Sequence, residues 1–336
     1  MSPHTFVIKI RPKSPQKRSI LTAAEVLRRG GLVAFPTETV YGLGADALNA
    51  DAVKQIFVAK GRPLDNPIIV HIASTADLEA LTDHIPEAAS RLIEKFWPGP
   101  LTLILKKSAG VPDNVTGGLD SVAVRMPQNK IALALIKALG HPIAAPSANL
   151  SGRPSGTSAA HVLQDFAGKI DMIIDGGPVS VGVESTVLDL SRKPPAILRP
   201  GAVTQEDLAP FVGRVVMGRG AEGKKRSPGT RYRHYSPKAR VMLVEPTDEA
   251  AIARLVNQYI KGGEKVAVVA SRFTPRGRTR PIVRIMPQGL DEYARQIFAV
   301  LRELDELGVD EIIIEKTEEK GIGVAIMDRL KRAAAR

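Results

Sequence analysis

The 336-residue chain contains no cysteine. That excludes disulfide frameworks, thiolate zinc sites and cysteine nucleophiles together, and it fits a reducing compartment. Aromatic residues make up only 4% of the chain, which leaves few side chains to stack on RNA bases. Long apolar runs are missing as well. Those at 101–105 and 266–270 fall far short of the ~20 residues that span a bilayer. Residues 1–15 carry charges and no apolar stretch of the signal-peptide kind. These absences point to a soluble cytoplasmic protein with no membrane contact. The chain also lacks G-x-x-x-x-G-K-[ST], H-E-x-x-H and G-x-S-x-G, so a phosphate loop, a helical zinc pair and a nucleophile elbow are excluded. The six histidines show no ligand spacing, which argues against a metal held by the protein.

What is present is ordinary globular material, 44% hydrophobic and 24% charged, in a length that suggests about two domains. The net charge of +12 is unevenly spread. Residues 1–215 carry +4, 241–336 carry +1, and the 25 residues 216–240 carry +7. A charge concentrated in one loop suggests an anion bound at one place rather than a diffuse nucleic-acid surface.

Periodicity places strands over 32–35, 68–72, 101–106, 122–126, 143–145, 172–174, 185–190 and 196–198. Helices are expected over 49–60, 87–96, 131–139 and 158–167, with Asn49 as an N-cap and Gly61 as a C-terminal stop. This mixture indicates an α/β domain with a twisted, mixed sheet. After the basic segment the pattern restarts. Strands are expected over 241–244, 265–270 and 311–314, and helices over 248–260, 290–307 and 324–335. That alternation indicates a smaller, doubly wound α/β domain. The expected division is therefore 1–215, a basic linker at 216–240, and 241–336. The strand ends of the second domain carry no glycine-rich phosphate loop, so a structural or gating role is expected there.

Four polar, irregular segments stand out: PTETVYGLG (36–44), KGRPLDNP (60–67), APSANLSG (145–152) and GVESTV (182–187). Ligands bind at strand ends in open α/β sheets, and hydroxyls, amides and glycine backbone donate to anions. With Arg125 at a strand end among them, the set favours a phosphate-bearing ligand.

Those segments, together with KGRPLDNPIIVHI, VAVRMP, PSANLSGRPS, ESTVLDL and ILRPG, resemble the YrdC-type domain of L-threonylcarbamoyladenylate synthases. The spaced signature K-x-R…S-x-N falls on Lys60, Arg62, Ser147 and Asn149. SPGTRYRHYSP and a final AIMDRL resemble the longer, two-domain form, so the resemblance covers nearly the whole chain. It implies a nucleotidyltransferase that joins L-threonine, bicarbonate and ATP into threonylcarbamoyl-AMP and pyrophosphate. The product would pass to a downstream threonylcarbamoyl transferase that modifies tRNA. It further implies an L-threonine pocket at Thr39, His71, Arg125, Ala145 and Ser185. ATP contacts would fall on Arg62, Asn66, Ser121, Ser147, Asn149, Ser155, Arg199 and Tyr235. Lys60 would face the phosphates or bicarbonate, and Mg2+ would arrive with the nucleotide. Glu38 and Glu184 lie inside the signature segments without an assigned role. Residues 227–237, with Tyr232, His234 and Tyr235, would fold over the site as a lid. Two rival readings remain at this stage. One is an RNA-binding module whose basic loop grips tRNA without catalysis. The other is a carbamoyl-transfer protein, against which the missing acylphosphatase-like and zinc-finger segments argue.

Overall fold

Short β-branched runs alternating with amphipathic segments fold, in the computed structural model, into two units. The structure describes residues 4–218, 235–246, 248–271 and 280–335. The first unit comprises Met1–Ser151 and Ser155–Tyr232, and the second Gly152–Pro154 and Arg233–Arg336.

The first unit runs β1 (Phe6–Lys9), α1 (Lys17–Arg28), β2 (Val33–Phe35), β3 (Gly42–Asp46), α2 (Ala50–Lys60) and β4 (Ile69–His71). A 3₁₀ turn at Thr75–Ala80 leads to α3 (Glu87–Phe96), β5 (Leu101–Lys106), α4 (Asp113–Thr116), β6 (Ser121–Arg125), α5 (Lys130–Leu139) and β7 (Ile143–Ala144). Then follow α6 (Ala159–Phe166), β8 (Met172–Asp175), β9 (Thr186–Asp189), β10 (Ala196–Arg199), α7 (Gln205–Val212) and β11 (Val216–Met217). Among the described residues these strands form one sheet in the order β1-β8-β2-β3-β7-β4-β6-β5-β9-β10-β11. Parallel pairs such as β4/β6 and β5/β9 sit beside antiparallel ones such as β5/β6 and β9/β10. The twisted mixed sheet expected from sequence is present.

The strand period of two decides what each face of this sheet carries. Val122 and Val124 of β6 join Val70, Leu103, Leu105 and Leu188 in the main core. The alternate residues Ile69, Ile104, Ala123 and Val187 form a separate apolar patch with Ala196 and Leu198. Ser121 and Arg125 share that second face with Ala123, and His71 shares it with Ile69. A polar residue therefore stands at each end of a strip whose middle is apolar.

The sequence reading of 36–44 as one irregular segment needs correction. Its last three residues open β3, which pairs antiparallel with β2 and with β7. Small side chains make this possible: a Cβ on Gly44 would lie 2.7 Å from Phe35 Cε1 and 2.8 Å from Ile143 Cγ2. These glycines serve strand packing. The segment 60–67 leads out of α2 into β4, and 182–187 runs into β9, so only the other two of the four segments follow strands.

Helix α2 forms as its sequence dictates. Asn49 Oδ1 accepts the Ala52 N–H at 3.0 Å, and Gly61 stops the helix in the left-handed region at φ 59°. The Gly61 and Arg62 N–H groups close back on Val58 and Phe57 carbonyls at 3.2 and 2.9 Å. The stop thus fixes where Arg62 leaves the helix.

The second unit runs β12 (Arg240–Val244), α8 (Glu249–Lys261), β13 (Val266–Ala270), β14 (Ile282–Ile285), α9 (Leu290–Glu306), β15 (Glu311–Glu315) and α10 (Gly323–Ala334). Its strands lie in the order β12-β15-β13-β14, all parallel. β13 and β15 are buried along their whole length, as parallel strands covered on both faces should be. This is the expected doubly wound sheet, with β14 as a strand the sequence did not signal. Gly152 and Pro154 join this unit: the Gly152 carbonyl accepts the Ser236 N–H at 2.8 Å, and the Pro154 carbonyl accepts Arg302 Nε and Nη2 at 3.1 and 2.6 Å. Among the described residues no helix is long and apolar enough to cross a membrane.

Gly61→Ala forces a side chain into the left-handed region and should cost about 1 kcal/mol of unfolding free energy. Because it also disturbs the exit of Arg62, it should lower turnover more than Asn49→Ala, whose capping loss is of similar size, about 1 kcal/mol. Urea denaturation paired with steady-state kinetics on both variants checks this.

Candidate active site

Arg125 ends β6 with only 3% of its surface exposed. A guanidinium so placed must find acceptors and a counter-charge. Its Nε donates to the Gly99 carbonyl at 3.1 Å and Nη1 to Thr39 Oγ1 at 2.8 Å. Nη2 lies 2.6 Å from Glu38 Oε1 in a buried ion pair whose angles fall outside hydrogen-bond geometry. Glu38 Oε2 in turn accepts the Gln128 N–H at 3.0 Å. Glu38, unassigned from sequence, is the counter-ion of Arg125. The loop after β2 is stiffened from within, since Thr37 Oγ1 donates to the Val40 carbonyl at 2.7 Å and lies 2.9 Å from Thr39 Oγ1.

His71 sits opposite Arg125 in the β4/β6 register. Its Nδ1 is buried without a partner, and its ring meets Phe35 edge-on at 6.2 Å. Burial first, and then the Arg125 charge, push its pKa down to about 3. Arg199 adds a smaller push in the same direction. The imidazole is therefore neutral at pH 7.

Ser185, immediately before β9, is fully buried. Its Oγ lies 2.7 Å from Thr102 Oγ1 and accepts Arg199 Nη2 at 3.0 Å, while its carbonyl accepts Arg199 Nε at 3.1 Å. A register shift between Ile197 and Arg199 breaks the alternation of β10 and lets Arg199 reach Ser185. Next to Ser185, Glu184 accepts the hydroxyl of buried Ser155. Thr39, His71, Arg125, Ser185 and Arg199 are thus brought to one end of the strip, with Glu38 and Thr102 as members the sequence reading missed. Thr102 could have been found from strand alternation with Ile104.

A second group gathers around the end of α2. Lys60 is buried, and its Nζ donates to the Ser147 carbonyl at 2.6 Å and to the Asn149 carbonyl. Lys60 thereby clasps the loop after β7, where Ser147 Oγ donates to Asn149 Oδ1. Arg62 folds back on its own turn, donating from Nη2 to the Pro67 carbonyl at 2.7 Å and from Nε to the Asn66 carbonyl at 3.2 Å. Asn66 is fully buried, and neither of its amide atoms has a partner. A buried amide left unpaired is costly unless something else completes it. Ala145 bonds through its N–H to the Ile69 carbonyl at 2.9 Å, which sets this loop beside the start of β4. Ser121 stands at the start of β6, two positions from Ala123 on the same face.

Tyr235 falls in the second unit. It adopts φ 65°, stacks on Phe298 at 5.5 Å between centroids, and has the Arg329 guanidinium 5.3 Å from its ring centre. The lid expected at 227–237 lies largely outside the described residues, which resume at Tyr235.

Removing either partner of the Arg125–Glu38 pair leaves a buried charge alone and should cost about 3–5 kcal/mol of stability. Arg125→Ala combined with Glu38→Gln should cost clearly less than the two singles added, as urea denaturation of all four proteins will show. His71 gives a pH signature. Its folded pKa lies below the unfolded value, so the unfolded chain binds the extra proton. Stability present above pH 6.5 is lost as pH falls from about 6.5 toward 3, by at most about 1.4 kcal/mol per unit. His71→Gln should flatten that part of the stability profile between pH 7 and 4.5.

Two family matches cover the chain. The Sua5/YciO/YrdC family, described as telomere recombination, matches residues 25–201, and the threonylcarbamoyl-AMP synthase C-terminal domain matches 203–335. A threonylcarbamoyl-AMP synthase of Pyrococcus abyssi is 50% identical, covering 98% of each chain. That of Bacillus subtilis is 47% identical over 94% of this chain and 92% of its own. The crystal structure of P. abyssi Sua5 complexed with L-threonine superposes with a TM-score of 0.93 at 48% identity, covering 98% of both chains. E. coli YciO matches 62% of this chain and 99% of its own, at 30% identity and a TM-score of 0.56. Matched along nearly its whole length, this chain belongs to the threonylcarbamoyl-AMP synthase family, in the form that carries both the YrdC-like and the Sua5 C-terminal domain.

Proposed function

We propose that the protein joins L-threonine, bicarbonate and ATP into threonylcarbamoyl-AMP, releasing pyrophosphate and water. The observation that carries this reading at the level of residues is the pair of buried polar clusters that the first unit assembles. One is built on a buried arginine and a neutral histidine; the other is built on Lys60, Arg62 and an unpartnered Asn66. The Pyrococcus relative crystallised with L-threonine supports the amino acid as a substrate, and the buried guanidinium of the first cluster is suited to its carboxylate.

In this reading the Arg125 guanidinium takes the threonine carboxylate, with Glu38 sharing or yielding the same face of the guanidinium. Thr39, Ser185 and the Ala145 backbone orient the amine and hydroxyl. Neutral His71 accepts or donates a hydrogen bond without adding a second positive charge beside Arg125. The amine nitrogen attacks carbon of CO2, opening a C–O π bond and losing a proton, or of bicarbonate, from which water leaves, to form a carbamate. A carbamate oxygen then attacks the α-phosphorus, the bond to the β-phosphate oxygen breaks, and pyrophosphate leaves. No protein nucleophile is required, so positioning carries the rate, a contribution that reaches about 7–11 kcal/mol for well-oriented reactants. Asn66 offers both amide atoms to the nucleotide. Ser121, Ser147, Ser155 and Arg199 complete the ATP contacts within the first unit. Lys60 stabilises the loop that holds Ser147, with the phosphates or bicarbonate as its further targets.

Among the described residues no group of three or more His, Cys, Asp or Glu is placed to hold a metal ion. Mg2+ would arrive with the nucleotide on phosphate oxygens and water, where it would neutralise phosphate charge. We assign the protein to the cytoplasm, with a tRNA-modifying threonylcarbamoyl transferase as consumer of the product. A purely RNA-binding reading gains nothing from the relatives, which are named as synthases over the full chain.

Pyrophosphate release measured with threonine and bicarbonate omitted in turn tests the function, and release independent of threonine would overturn it. Arg125→Ala should raise the threonine requirement by at least tenfold, the size of a lost charged hydrogen bond of about 1.5–3 kcal/mol. ATP binding by calorimetry should stay near wild type. Asn66→Ala should show the opposite division.

A further inference from the structure

The second unit carries a cavity of its own, about 320 Å3, at the C-terminal ends of its parallel strands. Ser271 follows β13, Gln288 lies beyond β14, Lys316 and Thr317 follow β15, and Tyr293 projects from the first turn of α9. This is the crevice where doubly wound sheets take ligands, although no phosphate loop marks it.

The polar groups lining it are unmatched in a specific way. Tyr293 is 1% exposed, yet its hydroxyl has no hydrogen-bond partner, and neither has Thr317 Oγ1. Glu315 is 5% exposed and accepts the Ser271 N–H at 2.7 Å. It has no ion-pair partner among the described residues. Burial and the nearby Glu315 charge push the Tyr293 phenol far up, so it remains a proton donor. Two hydroxyl protons therefore need an acceptor, beside a buried carboxylate that holds one backbone N–H and has capacity for further donors.

Donor and acceptor chemistry narrows the occupant. An ammonium group only donates, which leaves both hydroxyl protons unmet. A fully ionised phosphate ester only accepts, and it would face the carboxylates of Glu315 and Glu318. The cation at the rim, Lys316, is already tied to Glu245. A ligand hydroxyl both accepts from Tyr293 or Thr317 and donates to Glu315, and adjacent hydroxyls satisfy the whole set. The volume lies at the small end of small-molecule sites, which run from about 300 to 1,000 Å3.

We propose that the second unit binds the vicinal hydroxyls of a neutral ribose-class ligand in the cavity formed by Tyr293, Glu315 and Thr317. A nucleoside and a free pentose share this chemistry. The proposal is independent of the activity assigned to the first unit.

Calorimetry on the full-length protein tests it with adenosine, 2′,3′-dideoxyadenosine and D-ribose as probes. Because the first unit is itself expected to accept adenosine, the readout is the binding component that Glu315→Gln and Tyr293→Phe remove. Wild type should show an adenosine component that weakens at least about tenfold in each variant and is missing with the dideoxy compound. If ribose alone saturates that component, a free pentose is the source; if only adenosine does, a nucleoside is. Thermal unfolding checks that the variants fold, and Thr317→Val replaces Tyr293→Phe if the latter does not. Isotherms of wild type and variants that superimpose with both adenosine and ribose would overturn the proposal and leave a cavity that holds water alone.

Discussion

A guanidinium cannot be buried without a counter-charge, and the first unit meets that constraint at Arg125. Its partners come from two separate places in the chain: Glu38 and Thr39 in the loop after β2, and Gly99 at the turn into β5. Glu38 then reaches the backbone ahead of α5 through Gln128. One charge thus draws together loops that are distant in sequence, and the sheet places it beside His71 in register. The same charge helps keep that histidine neutral. In the proposed reading, a substrate carboxylate would meet a guanidinium already oriented and already partly compensated.

The absence of any nucleophile makes sense within this arrangement. Carbamate formation and attack on phosphorus need reactants brought close, an amine left unprotonated and leaving charge stabilised. In the proposed arrangement, a cationic imidazole beside Arg125 would oppose the first step. Desolvation of His71 prevents that at physiological pH, which is a structural reason for burying a histidine whose Nδ1 has no partner.

Much of this was legible from residue pattern. The α2 boundaries followed from Asn49 and Gly61, whose capping chemistry is local. Strand alternation placed Arg125 at a strand end, and the mixed and parallel sheets followed from element order. The rest depends on tertiary partners that no local rule encodes. β3 reads as a glycine turn because its small residues reveal their purpose only against Phe35 and Ile143. Glu38 had no role until the fold supplied Arg125. Arg199 reaches Ser185 through a register shift, which the Ala196–Arg199 sequence does not announce. Lys60 was read as a residue facing phosphate, whereas its ammonium also secures the 147–149 loop.

Most of the basic segment at 216–240 lies outside the described residues. The second unit shows a limit of charge arithmetic all the same, since net charge says nothing about which groups are already neutralised. Within the second unit, Lys316 and Glu245 cancel, Arg240 pairs with Glu311, and Arg284 with Glu303. What the cavity leaves unmatched is the reverse of a basic site: two hydroxyls without partners, beside a buried carboxylate that accepts one backbone N–H. The groups that define a ligand are those a folded protein leaves unsatisfied, and these become visible only after every internal pairing has been accounted for.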